Sequence, residues 1–302
     1  MNPSNEAWIE RLIAHLHSER RMSAHTSSAY AHDLNEFCKW QQVNEIHQWQ
    51  QLTNHHIRQF AATEHRRGIA PRSIQRRLST LRSFFKYLMR EGQLTANPAM
   101  EVRAPKAPKK LPTTLDADLM AQLLNFRADQ TLDKRDKAIM ELFYSSGLRL
   151  SELAGLNLGD LDLADHTVRV LGKGNKTRMV PVGSFALAAI KDWLHERALL
   201  VQQETPAVFV GRQGKRLSVR TIQIRVAAWA KQQGIGQHVH PHMFRHSFAS
   251  HLLESSQDLR GVQELLGHAN ISTTQVYTHL DFQHLAKIYD AAHPRARKKP
   301  TS

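Results

Sequence analysis

The chain has 302 residues, 41% of them hydrophobic and 23% charged, and carries a formal charge of +14 with a pI near 10.1. That length suits two domains better than one core, and the charge favours a polyanionic partner, because basic side chains that meet phosphates release condensed counterions. No stretch approaches the ~20 apolar residues of a membrane span, Met1 to Arg20 lacks a signal-like apolar run, and the single Cys38 excludes an intramolecular disulfide or a cysteine-built zinc cluster, so a cytoplasmic globular protein is expected.

Residues 5–92 read as helices. Trp8, Leu12, Ile13 and Leu16 follow the helical period, as do Tyr30, Leu34 and Phe37, and further on Ile57 and Phe60. Cys38 is expected to be a small buried apolar residue. Thr53 or Asn54 can cap one helix start, and Ser73 lies near another. Between Ile74 and Met89, Leu78, Leu81, Phe84, Phe85 and Leu88 share one side, while Arg72, Arg76, Arg77, Arg82 and Lys86 fall largely elsewhere. The pattern predicts an amphipathic helix whose basic outer face suits either a DNA groove or plain solvent.

Asn97-Pro98 ends the helical region, and Pro105, Pro108 and Pro112 with Lys106, Lys109 and Lys110 form a basic, proline-rich connector. Extended, residues 97–112 would span roughly 45 Å, enough for two domains to grip opposite sides of a duplex. The expected organisation is a helical domain at 1–96, the connector at 97–112, a second domain at 113–281 and a C-terminal segment at 282–302. In the second domain, helices are expected at 116–126, 133–146, 184–200, 218–233, 241–254 and 258–266. Residues 167–170 and 178–180 read as a hairpin turning at 172–175, and Val208 to Val210 as a third strand. A short helix is expected at 282–289, followed by a basic tail. The fold class is mainly α with a small β-sheet.

The densest chemistry lies in His240-Pro241-His242-Met243-Phe244-Arg245-His246. Pro241 suits the first helical position, which puts His242 and Arg245 on one face of the first turn. Helix N-termini bind phosphates through free backbone N–H groups, so a His and an Arg there can grip one phosphate together. Phe244, Phe248 and Leu252 would anchor that helix in the core. The rival is zinc, since His242 and His246 have the histidine spacing of a metalloprotease helix. Met243, however, stands where the glutamate should be, and Arg245 sets a positive charge beside the proposed ion.

Upstream, Gly147 can close a helix, Ser151 can cap the next, and Arg149 lies between them with Glu152 near enough to orient it. The same segment is compatible with a helix-turn-helix. Lys173, between Gly172 and Gly174, can reach a phosphate or a leaving oxygen, or simply be solvated. The phosphate-loop pattern fails because Asn175 precedes Lys176, leaving no nucleotide site. His268 follows Gly267, and Tyr277 lies nine residues later. Alone, such a tyrosine is usually a packing residue with a tied hydroxyl.

Together, Arg149, Lys173, His242 with Arg245, Gly267-His268 and Tyr277 resemble the tyrosine recombinase (phage integrase) family in order and spacing, with no departure at any of the six positions. Residues 246–256, 258–270 and 277–285 narrow the resemblance to recombinases that resolve chromosome dimers. The resemblance implies a helical DNA-clamping domain followed by an α+β catalytic domain. It makes Tyr277 the nucleophile, Arg149 and Arg245 the clamp on the phosphate oxygens, and His268 a further donor. His242 would help with the tyrosine proton, and Lys173 would protonate the leaving oxygen. It also implies double-stranded DNA at a dif-like site, a XerD-like second recombinase in a heterotetramer, a DNA-translocase activator, and neither cofactor nor metal. Residues 282–293 would dock on a neighbouring protomer, the alternative being packing on their own domain. Trimming after Asp281 is then expected to spare DNA binding and uncouple recombination. A type IB topoisomerase, a non-catalytic DNA-binding protein and a zinc hydrolase remain the competing classes.

Overall fold

A computed structural model describes residues 5–18, 24–106, 114–172, 177–201, 203–256 and 293–296. The chain divides into two compact units, Met1–Lys110 and Leu111–Ser302, each with its own hydrophobic core.

The first unit is helical, with α1 (Asn5–Ser18), α2 (Ala24–Val43), a 3-10 turn at Trp49–Gln51, α3 (Asn54–Arg66) and α4 (Pro71–Arg90). Thr53 caps α3, its backbone N–H donating to His56 Nδ1 at 3.2 Å. The start of α4 falls on Pro71, two residues before Ser73; proline loses nothing at a first helical position, where its missing N–H would have had no partner in the helix. The core is aromatic. Phe37 meets Phe60 edge-on at 5.0 Å and Phe85 at 6.1 Å, and Trp49 meets Phe84 at 4.9 Å. Cys38 is half-buried, and burial pushes its thiol up to about 11.

The basic outer face expected on α4 is only partly outward. Arg77 is buried and reaches Glu64 and Asp33, carboxylates that α3 and α2 place in the interior. Arg76 pairs with Asp33 at 2.5 Å, and Arg82 donates to the carbonyls of Ala99 and Val102 at 3.1 and 2.5 Å. Arg72 and Lys86 remain exposed. The extended connector also begins later than Asn97. Asn97 accepts from the Ala99 N–H, and Ala99 and Val102 are buried in the first core, so this stretch is part of the first unit.

The second unit is organised around α6 (Thr131–Ser146), which is buried on nearly every side in its last two turns. Around it lie α5 (Ala117–Leu124), α7 (Leu150–Gly155), α8 (Ser184–Leu200), α9 (Val219–Gln232) and α10 (Pro241–Ser256). Asp116 and Ser218 cap α5 and α9 by accepting from the third residue onward. Even the polar end of α6 is satisfied inside: Ser145 accepts from the Gly183 N–H at 2.7 Å, and Ser146 donates to the Pro181 carbonyl at 2.8 Å.

The sheet has three antiparallel strands in the order β1 (Leu161–Asp162), β2 (Thr167–Leu171) and β3 (Thr177–Pro181). Val168 faces Val180 and Val170 faces Arg178 across the β2–β3 ladder. The third strand is thus at 161–162 rather than 208–210. Val208 to Val210 are buried, but side chains meet much of their backbone: Trp193 donates to the Val208 carbonyl at 2.9 Å and Arg135 to that of Val210 at 3.1 Å. A buried segment needs its backbone groups paired, and here isolated bridges supply the rest without a continuous ladder: Val208 N–H donates to the Leu156 carbonyl at 3.0 Å, Leu217 N–H donates to the Phe209 carbonyl at 2.9 Å, and Val210 bridges to Arg216.

The expected helices at 258–266 and 282–289 lie outside the described residues, as does the hairpin tip at 173–176. Residues 293–296 pack on their own unit. His293 is buried against Tyr144 and Phe248, and the Ser184 N–H donates to the Ala296 carbonyl at 2.9 Å. Trimming after Asp281 would therefore also open this core.

Candidate active site

Gly147 ends α6 in the left-handed region at φ 56°. The chain then turns into α7, whose N-cap is Arg149 and not Ser151. Glu152, three residues on, accepts from the Arg149 backbone N–H and from its guanidinium, each at 2.8 Å. The same carboxylate is gripped from β3 by Arg178, Nη1 to Oε1 at 2.9 Å and Nη2 to Oε2 at 3.0 Å. Burial alone would raise Glu152, yet the hydrogen bonds from Arg178 and Arg149 outweigh it and hold the carboxyl at about 2.

Arg245 arrives from α10 and donates to the Gly147 carbonyl at 2.6 Å. Burial pulls its guanidinium down to about 10, with the nearby charges of Arg149 and Arg178 adding to the effect, so it stays charged at neutral pH. Three guanidinium groups around one carboxylate leave these four side chains a net charge of +2. The Arg149 side chain is 37% exposed and Arg178 only 9%. The arrangement is a fixed cationic site, reachable from solvent through Arg149, that suits the oxygens of a phosphodiester.

His242 is exposed in the first turn of α10, on the helix that carries Arg245, and its ring lies 6.2 Å from that of His240. His240 is held below the usual imidazole range by burial and then by its histidine neighbours. Among the described residues no group of three His, Cys, Asp or Glu side chains is placed to hold a metal. Phe244, Phe248 and Leu252 are fully buried, as expected of the anchoring face. Of the six residues singled out by the sequence, Arg149 and Arg245 come together and His242 shares a helix with Arg245. Lys173, His268 and Tyr277 lie outside the described residues.

Two contributors were missed by sequence reasoning, the Gly147 carbonyl and Arg178. The second had a signal: Arg178 sits two residues before the buried Val180, so strand alternation puts it on the core-facing side. An arginine in that position needs a carboxylate partner.

The fold is that of a tyrosine recombinase. Residues 113–284 match the phage integrase family and residues 9–92 match the phage integrase N-terminal SAM-like domain, so the chain belongs to the phage integrase family. It is 54% identical over 291 residues to the tyrosine recombinase XerC of Xanthomonas campestris pv. campestris strain B100, covering 96% of this chain and 89% of that one. It is 56% identical over 295 residues to the tyrosine recombinase XerC of Pseudomonas savastanoi pv. phaseolicola, covering 97% and 98%. Its fold is also that of XerH site-specific recombinase bound to palindromic difH substrate, with a TM-score of 0.70, 22% identity and coverage of 93% and 83%. The chain is accordingly a site-specific DNA recombinase, mainly α with a small sheet. No helix among the described residues is long and apolar enough to cross a membrane.

Proposed function

We propose that this recombinase resolves chromosome or plasmid dimers in the cytoplasm, at a dif-like site, together with a XerD-like partner in a heterotetramer and under a DNA-translocase activator. The support is more than 50% identity to XerC proteins over nearly the whole chain. The first unit clamps the duplex and the second carries the chemistry.

In that chemistry, Tyr277 attacks the scissile phosphorus, forms a 3′-phosphotyrosyl bond and releases a 5′-oxygen. Arg149 and Arg245 hold the non-bridging oxygens as charge builds on them, the kind of contribution worth about 10³–10⁵ in rate for an arginine at a phosphoryl group. His268 adds a hydrogen bond, and His242 takes up the tyrosine proton. Lys173 gives a proton to the leaving oxygen. A 5′-hydroxyl from another strand reverses the step, so the phosphodiester energy is kept and neither nucleotide nor metal enters the chemistry. The observation that carries this is the convergence of Arg149 and Arg245 on one site from helices 96 positions apart in the chain.

A covalent trap tests it. A nicked duplex bearing a dif-like core loses its freed fragment by diffusion, and the adduct is read on a denaturing gel in EDTA. An adduct with wild type that vanishes in Tyr277→Phe is expected. An adduct surviving that substitution, or one abolished by EDTA in the wild type, would overturn the reading.

A further inference from the structure

Arg178 has no place in the scheme above, yet it makes the most complete ion pair of the site. Its two terminal nitrogens meet both oxygens of Glu152 at 2.9 and 3.0 Å, with its own side chain 9% exposed and that of Glu152 4% exposed. Both of those oxygens also accept from Arg149. Glu152 is therefore a shared carboxylate with two cationic partners, one of them on a helix start and the other on the sheet.

Sharing has an electrostatic consequence. A carboxylate paired with Arg149 alone would orient that arginine but cancel its charge, and a phosphate would then meet a neutral pair. A second guanidinium on the same carboxylate leaves the trio with a net charge of +1, to which Arg245 adds another. In a partly desolvated site such a unit charge interacts far more strongly with a phosphate than it would in water. Resting on the recombinase reading of this site, we propose that Arg178 is a positioning residue that neutralises Glu152, so that Glu152 can fix Arg149 in place while the charge of Arg149 still acts on the scissile phosphate. Arg178 touches neither DNA nor tyrosine in this role; it acts through Glu152.

A purely structural clip between β3 and α7 would use the same contacts, so the test must read charge. Single-turnover cleavage of the nicked duplex is measured with a natural phosphodiester and with a methylphosphonate at the scissile position, which removes one negative charge. Arg178→Gln is expected to slow cleavage of the natural bond by about 10- to 100-fold, by analogy with the loss of a partner that orients a metal-binding side chain, and to cost clearly less on the methylphosphonate. Adding Glu152→Gln to Arg178→Gln is expected to recover rate, because it removes the uncompensated carboxylate. Arg178→Lys, which keeps the charge but not the fork, should fall between wild type and Arg178→Gln.

Equal losses on both substrates with a double variant slower than Arg178→Gln would overturn the proposal and leave a structural clip. So would an Arg178→Gln protein that cleaves at the wild-type rate. If Arg178→Gln does not fold, Arg178→Lys and the double variant on the two substrates decide the question by the same comparison. A wild type that binds the duplex but forms no adduct even with a XerD-like partner added overturns the reading of Tyr277 and its arginine clamp, a result distinct from wild-type cleavage with Arg178 dispensable.

Discussion

The guanidinium of Arg245 donates to the carbonyl of Gly147 at 2.6 Å, although the two residues are 98 positions apart. The same glycine closes α6 at φ 56°, and a Cβ placed on it would lie 2.5 Å from Cδ1 of Phe248, a ring of the helix that carries Arg245. Backbone conformation, core packing and the position of Arg245 thus meet at one residue. Gly147→Ala forces a left-handed non-glycine residue and crowds a buried ring, together costing about 2–4 kcal/mol. The expected result is a melting temperature lower by about 5–15 °C, with loss of cleavage well below that temperature because α10 and Arg245 are displaced. Thermal unfolding and adduct yield on the same sample check this. An unchanged melting temperature with full cleavage would show that the turn tolerates a side chain.

Arg149→Lys and Arg245→Lys keep the charge but remove the planar fork. A lysine cannot both donate to Glu152, or to the Gly147 carbonyl, and present paired donors to a phosphate. Each is expected to lower single-turnover cleavage by about 10³, while leaving the gel-shift affinity within a few-fold, since most of the affinity comes from the wider basic surface. Cleavage within tenfold of wild type in either variant would remove that arginine from the clamp.

The site was legible in the sequence where spacing is local. His242 and Arg245 lie within one helical turn, and Arg149 and Glu152 are three residues apart, so their mutual reach follows from helix geometry alone. The Phe244, Phe248 and Leu252 face and the β2–β3 pairing were readable for the same reason. What escaped depends on tertiary placement. Arg178 meets Glu152 only because β3 lies beside α7, and Arg77, an outward basic residue by composition, turns inward because α2 and α3 bury Asp33 and Glu64 beside it. Val208 to Val210 have strand composition, yet their pairing is split between isolated backbone bridges and the Trp193 and Arg135 side chains, so no continuous ladder forms.

That inward turn divides the basic residues of α4 into two kinds. Arg77→Met leaves the buried carboxylates of Asp33 and Glu64 short of a partner, even though Arg76 and Arg67 still pair with them. A loss of about 3 kcal/mol from the first unit is expected by denaturant unfolding. Lys86→Ala, on the exposed side, should leave stability within about 0.5 kcal/mol. If Lys86 contacts a phosphate, its removal should reduce the salt slope of DNA binding by about one ion. Equal stability losses from the two substitutions would contradict the division.

The closing segment at 293–296 should respond to pH through two groups of opposite sign. Burial pulls His293 down to about 3, helped by His251, so relative to an ordinary imidazole its docking is intact above about 6.5 and weakens as pH falls below that. Burial pushes Glu141 up to about 7 against the opposing charges of Arg295 and Lys137, so it favours the folded state at low pH and loses that contribution as pH rises from about 4.5 through 7. Arg295 pairs with Glu141 at 3.1 Å, and Tyr144, which burial holds above its usual range, shares a hydrogen bond of 2.9 Å with His251. Between pH 4.5 and 6.5 the two dependences oppose each other, and docking should be nearly flat with pH. Glu141→Gln removes one side of that balance. In this variant the Ser184 amide, which donates to the Ala296 carbonyl, is expected to lose hydrogen-exchange protection as pH falls below about 6.5, after correction for intrinsic rates. Protection that stays level down to pH 4.5 in Glu141→Gln would mean that release of the segment takes up no proton at His293, so that burial of its ring does not set the pH response.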